Sequence, residues 1–339
     1  MIDPALVECI PLASAIRKLT PRRFGTAFRS NIGHRADRWY SAIVAQKLRN
    51  LDFSTVVAYE NSAKPIFEIA RDRGAITVLD AASVHHKLQD KLLARRESES
   101  DHAKIIANKD AEIQLADWVI TTSDFARESY IKAGVDASRV VTIAMGVDID
   151  LFGQKSIGER NTGQQSEIRF IFVGRFEPLK GSVELTNAME TLQNQNARVS
   201  LSIVGDIYDR KILQFKNVRS LGKQTHAELS TTLAVHDVLI LPSHFDSFGM
   251  VVIEAMAAGL PVIVSPGVGA KMVVNEKRNG IVTKDNSEHS LIEAIKWFSA
   301  NRASYSAMSQ KAKETATSFT WKKYHQRINE FFCITESAR

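Results

Sequence analysis

Leu241-Pro-Ser-His-Phe-Asp246-Ser-Phe-Gly249-Met-Val-Val-Ile-Glu254-Ala-Met-Ala-Ala-Gly-Leu-Pro-Val-Ile-Val264 reads as a strand end, a loop, a helix, a turn and a second strand. The loop closes in Ser247-Phe-Gly249, and the helix begins directly after it. Two carboxylates, Asp246 and Glu254, bracket that junction. A helix N-terminus presents free backbone N–H groups and a partial positive charge, so it binds anions. A carboxylate beside it holds sugar hydroxyls by charge-assisted hydrogen bonds. Phosphate and polyol recognised side by side point to a nucleotide sugar. The competing reading is a buried helix after an ordinary loop of any α/β sheet.

A second stretch upstream carries the complementary charge. Phe172-Val-Gly174-Arg175-Phe-Glu-Pro-Leu-Lys180-Gly181 ends a strand in Gly and sets two cations five residues apart around a turn. Gly lets backbone approach a ligand closely. Arg bridges phosphate oxygens bidentately, and Lys adds a point charge. Two such cations stabilise the negative charge that builds on a departing diphosphate. Alone, the stretch also describes a surface turn with two solvated cations. The acidic pair downstream favours the ligand reading.

Together these stretches resemble the retaining nucleotide-sugar glycosyltransferases of family 4, the bacterial group 1 glycosyltransferases. The resemblance covers about residues 55–332 and is strong from 168 to 283. It implies a GT-B fold, in which two Rossmann-like α/β domains face a cleft and the donor sits mostly on the C-terminal one. Glu254 matches the family's ribose-binding Glu. Asp246 stands where the family carries a Glu facing the transferred sugar, and is one methylene shorter. Arg175 and Lys180 match the cations of the diphosphate motif. Leu201-Ser-Ile-Val-Gly205-Asp206 resembles the loop that lines the donor cleft, and Leu221-Gly-Lys-Gln-Thr225 the loop beside the nucleobase. Ser265-Pro-Gly267-Val-Gly269 matches a Gly-rich turn, with Ala270 where a further Gly is often found. The implied catalytic set is Asp246, Arg175, Lys180 and His85. The implied binding set is Gly174, Gly205, Phe248, Gly249, Glu254 and His86.

His85 and His86 follow a strand in Leu79-Asp80-Ala-Ala-Ser83-Val-His85-His86, where ligands of open α/β sheets bind. The segment resembles a strand-then-Ser-x-His element of the family whose His faces the sugar, which is carried to His85 first and His86 second. A loop His without ligand is the alternative for each. Tyr59-Glu60-Asn61 closes another strand and borders the acceptor side. Glu97, Glu99 and Asp101 near His102 read as a solvated helix start.

Length and composition agree with this frame. A chain of 339 residues, 44% apolar and 24% charged, has room for two globular domains. Its two cysteines, Cys9 and Cys333, make neither a disulfide framework nor a metal cluster, which suits a reducing cytosol. No apolar run approaches the roughly 20 residues of a spanning helix, and the acid-bearing start reads as no signal peptide. The net charge of +6 is uneven: residues 1–50 hold nine Lys/Arg against three Asp/Glu, and residues 51–150 hold twelve against seventeen. Two readings of the basic start stand. Arg17, Lys18, Arg22 and Arg23 either form a solvated face or rest on the anionic inner face of a membrane. No nucleic-acid motif accompanies the charge.

Alternation of short apolar strands with helices starts near residue 55 and predicts parallel sheets covered on both faces. Strands are expected at 55–59, 75–79, 118–121, 140–144, 168–173, 199–204, 237–241 and 261–264. Helices are expected at 63–73, about 97–116, from Ser123-Asp124, from Lys180 to about 193, and near 287–299, 303–317 and 321–332. The polar, Gly-containing residues 153–167 read as a linker. The expected domains are 1–150 on the acceptor side, 151–320 for the nucleotide sugar, and a helix over 321–339 that crosses back to the first domain. The family usually opens with an apolar strand and a Gly-containing loop. This chain instead opens with a broken helical pattern, so its N-terminal domain is expected to be shortened.

The expected activity is retaining transfer from a nucleoside-diphosphate sugar to a saccharide or polyprenyl-linked acceptor, in cytoplasmic surface-polysaccharide assembly. Neither cofactor nor metal is expected, and the leaving phosphate is expected to take the acceptor proton. The short first domain and Asp246 leave an alternative, a donor-binding or partner subunit without activity of its own. A nucleotide-sugar epimerase is a third reading. A P-loop kinase and a Gly-x-Ser-x-Gly hydrolase are excluded because neither motif is present. The one Asp-x-Asp, Asp148-Ile-Asp150, lies at the domain junction rather than at a strand end of a metal-dependent transferase.

Overall fold

The computed structural model describes residues 39–93, 99–153 and 167–337. The basic N-terminal segment, Glu97 and most of the expected linker lie outside them. The chain divides into two compact units. One comprises the described residues up to Thr121 together with Arg127–Thr142, and the other Thr122–Ala126 together with the chain from Ile143 onward. Among the described residues, no helix is long and apolar enough to cross a membrane.

In the first unit, helix α1 (39–48) precedes β1 (Thr55–Tyr59), α2 (Lys64–Asp72), β2 (Ile76–Ala81), α3 (His86–Leu93) and α4 (Glu99–Leu115). Then come β3 (Trp118–Thr121), α5 (Asp124–Lys132), which runs on from the Thr122–Ala126 segment, and β4 (Val140–Thr142). The four strands pair in parallel in the order β1-β2-β3-β4. Phe67, Leu79, Val119, Tyr130 and Val140 build the core between sheet and helices. Helix α2 starts at Ala63, which has no side chain to cap it. Glu112 of α4 supplies the missing acceptors, taking the Asn61 N–H at 2.8 Å and the Ala63 N–H at 3.0 Å.

The second unit contains α6 (Ile149–Gly153), β5 (Ile168–Val173), α7 (Ser182–Asn194), β6 (Val199–Val204), β7 (Val218–Gly222), α8 (His226–Ala234) and β8 (Val238–Leu241). It continues with α9 (Met250–Ala257), β9 (Val262–Val264), β10 (Gly280–Val282), α10 (Glu288–Ala300), α11 (Tyr305–Thr317) and α12 (Trp321–Ser337). The six parallel strands lie in the order β10-β9-β8-β5-β6-β7. Their apolar runs are buried on both faces, as all-parallel sheets require: Ile168, Phe170, Ile171, Phe172, Leu239 and Ile263 are at most 1% exposed.

The expected strands and helices are all present, with ends moved by a few residues. Helices α1, α3, α6 and α8 and strands β7 and β10 were not expected. β7 is an edge strand whose Arg219 and Ser220 are exposed, so it lacks the apolar run that marks its neighbours. β10 is three residues long and opens on Gly. Asp148 of the Asp-x-Asp sequence caps α6, accepting the Leu151 N–H at 3.0 Å, which is a structural use for that carboxylate.

Phe172 is fully buried at the centre of the second sheet and meets the Phe176 ring edge-on at 5.1 Å. Replacing Phe172 with Ala is expected to cost about 3–5 kcal/mol in chemical unfolding of the second unit. A loss under about 1 kcal/mol would contradict the packing described.

Candidate functional site

The second sheet starts in its middle. From β5 the chain moves outward through β6 and β7, then returns to β8 on the other side of β5. That reversal makes a topological switch point, and the loops leaving the carboxyl ends of β5 and β8 open at the crevice where ligands of such sheets bind. The loop after β5 carries Gly174, Arg175 and Lys180. The loop after β8 carries His244, Asp246, Phe248 and Gly249.

Both loops are held by backbone packing that only glycine allows. A Cβ on Gly181 would lie 2.1 Å from the Pro242 carbonyl oxygen, and the residue has φ +76°. A Cβ on Gly205, after β6, would lie 2.1 Å from the Gly174 carbonyl oxygen at φ +124°. Each position therefore excludes a side chain twice, by contact and by conformation. The Asp246 peptide is clamped on both sides: its N–H donates to the Gly267 carbonyl at 3.0 Å, and its carbonyl accepts from the Gly269 N–H at 2.9 Å. The Ala270 N–H donates to the Phe248 carbonyl at 2.6 Å. From the Thr122–Ala126 segment, the Ser123 hydroxyl donates to the Ser247 carbonyl at 2.5 Å.

On this frame the two predicted charges meet. Lys180 Nζ lies 2.6 Å from Asp246 Oδ2, with the side chains 20% and 23% exposed. Such half-buried pairs are screened less than surface ones. Arg175 is more open, with its side chain 59% exposed, and pairs with Glu177 at 2.8 Å. His244 Nε2 lies 2.9 Å from Glu184 Oε1, in the first turn of α7. Arg175 and Lys180 thus each already have a carboxylate partner, and an incoming anion competes with it.

Helix α9 begins at Gly249, whose φ of +89° turns the chain into the helix without a side-chain cap. The Val252 N–H turns back to the Gly249 carbonyl at 2.9 Å, which leaves the Met250 and Val251 N–H groups, without a side-chain cap, for a ligand or water. Glu254, one turn on, is 8% exposed. Burial pushes its carboxyl above the usual range, and the nearby His226 opposes that shift. His226 opens α8 directly after the Leu221–Thr225 loop, where Thr225 and Glu228 form a reciprocal capping box. Phe248 is buried, so only its backbone faces the loop chemistry.

The first unit carries the two remaining predicted residues. His85 and His86 are each 3% exposed. The His85 N–H donates to Ser129 Oγ at 2.8 Å, and its Nδ1 accepts from the Lys87 N–H at 3.2 Å. The two rings lie 4.0 Å apart, and Tyr130 meets His85 edge-on at 5.1 Å. Burial, then the neighbouring His86, lowers the His85 pKa to about 3. Around them, burial raises the carboxyls of Glu60, Asp80 and Glu112, while Lys109 lies 3.9 Å from Glu60.

Sequence reasoning missed Glu177, Glu184, His244 and Ser123 as site neighbours. His244 stands two residues before Asp246 in the quoted stretch, and Glu177 lies between the two cations. Nothing in the linear order pairs Glu184 with His244 or Ser123 with Ser247.

The His85 shift has a thermodynamic consequence. In the unfolded chain the ring takes up a proton near pH 6.5, whereas in the fold it stays neutral to about pH 3. Its contribution is complete above pH 6.5 and is lost as pH falls toward 3. The raised carboxyls act in the opposite sense, losing stability as pH rises through their unfolded values. On going from about pH 7.5 to about pH 5 in urea titrations, the wild type is expected to lose on the order of 2 kcal/mol more than His85→Gln. Equal losses would contradict the buried neutral ring.

Residues 155–315 match the family described as "Glycosyl transferases group 1". Curated relatives include the D-inositol 3-phosphate glycosyltransferases of Geodermatophilus obscurus, 27% identical over 75% of this chain and 60% of that protein, and of Mycobacterium tuberculosis, 24% identical over 78% and 59%. The chain therefore spans about 60% of the length of these relatives. Among solved structures, sucrose-phosphate synthase of Thermosynechococcus elongatus matches with a TM-score of 0.73 at 19% identity, over 90% of this chain and 79% of that one. HepE of Anabaena, in complex with UDP and glucose, matches at 0.67 and 19% identity, over 86% and 80%. With its two parallel α/β sheets and these neighbours, the chain has the GT-B fold.

Proposed function

We propose that this chain is a retaining glycosyltransferase of family 4 that moves a sugar from a nucleoside-diphosphate sugar to a saccharide or lipid-linked acceptor. The observation that carries the reading is the Lys180–Asp246 pair at 2.6 Å, at the switch point and beside the open N-terminus of α9. It sets a cation for the diphosphate next to a carboxylate for the sugar hydroxyls. Glu254, four residues into the same helix, grips the ribose. The nucleotide complex of the HepE neighbour supports a nucleotide as ligand here.

In the proposed reaction, the donor C1–O bond to the diphosphate breaks and a C1–O bond to the acceptor forms on the same face. The acceptor proton passes to the leaving phosphate oxygen. Lys180 exchanges Asp246 for that phosphate, and Arg175 exchanges Glu177 for it, so the charge that develops meets cations already in place. Asp246 and the Phe248 and Gly249 backbone orient the sugar. His85, neutral throughout the physiological range, is assigned to the sugar's reacting side. Because the chain is shorter than its curated relatives, their acceptor is adopted only as a first candidate: D-inositol 3-phosphate, by their names. Surface-polysaccharide assembly at the inner face of a membrane, with Arg17, Lys18, Arg22 and Arg23 in contact with anionic lipid, belongs to the same proposal.

The test is a thermal-shift screen of the purified chain against UDP-, GDP- and ADP-sugars, followed by turnover with candidate acceptors. One donor class is expected to raise the melting temperature by mass action, and the shift is expected to vanish in Glu254→Ala. Lys180→Ala is expected to lower turnover on the order of 100-fold or more. Unchanged rates in that variant would sink the assignment. A donor shift without turnover for any acceptor would favour the donor-binding subunit.

A further inference from the structure

We propose that His85, His86 and Asp110 of the first unit form a binding site for one divalent transition-metal ion of the zinc class. His85 precedes helix α3, His86 opens it, and Asp110 sits in the middle of α4. One donor atom from each lies within 4.8 Å of the others. Nε2 of His86 and Oδ1 of Asp110 are 3.1 Å apart. Neighbouring ligands around a tetrahedral ion with bonds of about 2.0–2.2 Å lie roughly 3.3–3.5 Å apart.

Nε2 of His86 is buried and has no hydrogen-bond partner among the described residues, although Asp110 is so close. The two atoms are near each other but poorly aligned for an N–H···O bond. Both are metal-ligating atoms, and neither satisfies the other. A buried ring nitrogen without a partner is costly, and an ion between the groups removes the cost.

The surroundings fit an ion of this class. Two imidazoles and one carboxylate suit zinc and its neighbours rather than magnesium or calcium, which take oxygen. Both histidines are buried, while the Asp110 side chain is 47% exposed, so an ion has a path in and a water can complete the set. Asp90, one turn after His86 on α3, adds a second carboxylate near that ring. His102 Nε2 lies 3.0 Å from Asp90 Oδ2, and Asp90 Oδ1 is buried without a partner. Lys87 and Lys109 are the opposing cations. Ligation by either nitrogen of His85 gives up its contact with the Lys87 N–H, a single hydrogen bond. A bound ion takes the ring that the transfer reading assigns to the sugar, so zinc is also expected to inhibit transfer. Only that corollary rests on the transfer reading, since the metal site stands or falls on binding.

The experiment titrates the metal-free full chain with Zn²⁺ by calorimetry and with Co²⁺ by visible absorption. One ion per chain is expected, with the intense d–d bands of a four-coordinate Co²⁺ site and displacement by Zn²⁺. His86→Gln and Asp110→Asn are expected to weaken binding about 10-fold or more. Circular dichroism and urea unfolding check that the variants fold, and the exposed Asp110 makes its variant the safer of the two. Absence of stoichiometric binding to the wild type would overturn the site. So would unchanged affinity in folded Asp110→Asn and His86→Gln.

Discussion

The close approach of the β5 and β8 loops is the constraint on which the candidate donor site depends. Lys180 and Asp246 are 66 residues apart in sequence and 2.6 Å apart in space because β5 and β8 are neighbours in the sheet. Gly181 lets the first loop lie against Pro242 of the second, and the Gly267–Gly269 turn holds the Asp246 peptide from the other side. A side chain at Gly181 would separate these loops, and one at Gly205 would push on the first of them at Gly174. The ion pair would then become an ordinary surface pair, worth little to stability or recognition.

The two units use polar groups differently. In the second unit, the buried apolar strands form a rigid floor and the charges sit at its rim, partly open, where a ligand can exchange with them. In the first, polar groups lie inside. Glu112 caps a helix whose own N-cap is Ala63, Lys109 lies between Glu60 and Gln89, and two tilted imidazoles lie 4.0 Å apart at the start of α3. Burial raises the carboxyls and lowers the imidazoles, so both move toward their neutral forms. Neutral imidazoles are suited to ligation and hydrogen bonding rather than to charge attraction.

Much of this architecture was legible in the sequence. The apolar runs at Ile168–Val173 and Val199–Val204 could only be buried strands, and Glu254 and Gly249 fall within a single strand-loop-helix unit whose local order gives their place. Arg175 and Lys180 were legible for the same reason. What the sequence hid depends on strand order or helix packing. Nothing local says that β8 returns to the far side of β5, so the sequence assigned Lys180 and Asp246 separate roles without pairing them. Glu184 meets His244 across 60 residues, and Asp110 meets His86 across 24, through helices whose facing sides the linear pattern leaves open. β7 and β10 escaped because edge strands need neither length nor an apolar run on both faces.

The central claim, a preformed diphosphate-sugar site at the switch point, is tested most directly by a crystal structure of the chain with UDP, the nucleotide bound in the HepE neighbour. The account predicts the diphosphate at the α9 N-terminus, within hydrogen-bond reach of Lys180 Nζ, and the ribose hydroxyls on Glu254. UDP bound elsewhere on the second unit, with the Lys180–Asp246 pair undisturbed and Glu254 uncontacted, would contradict it.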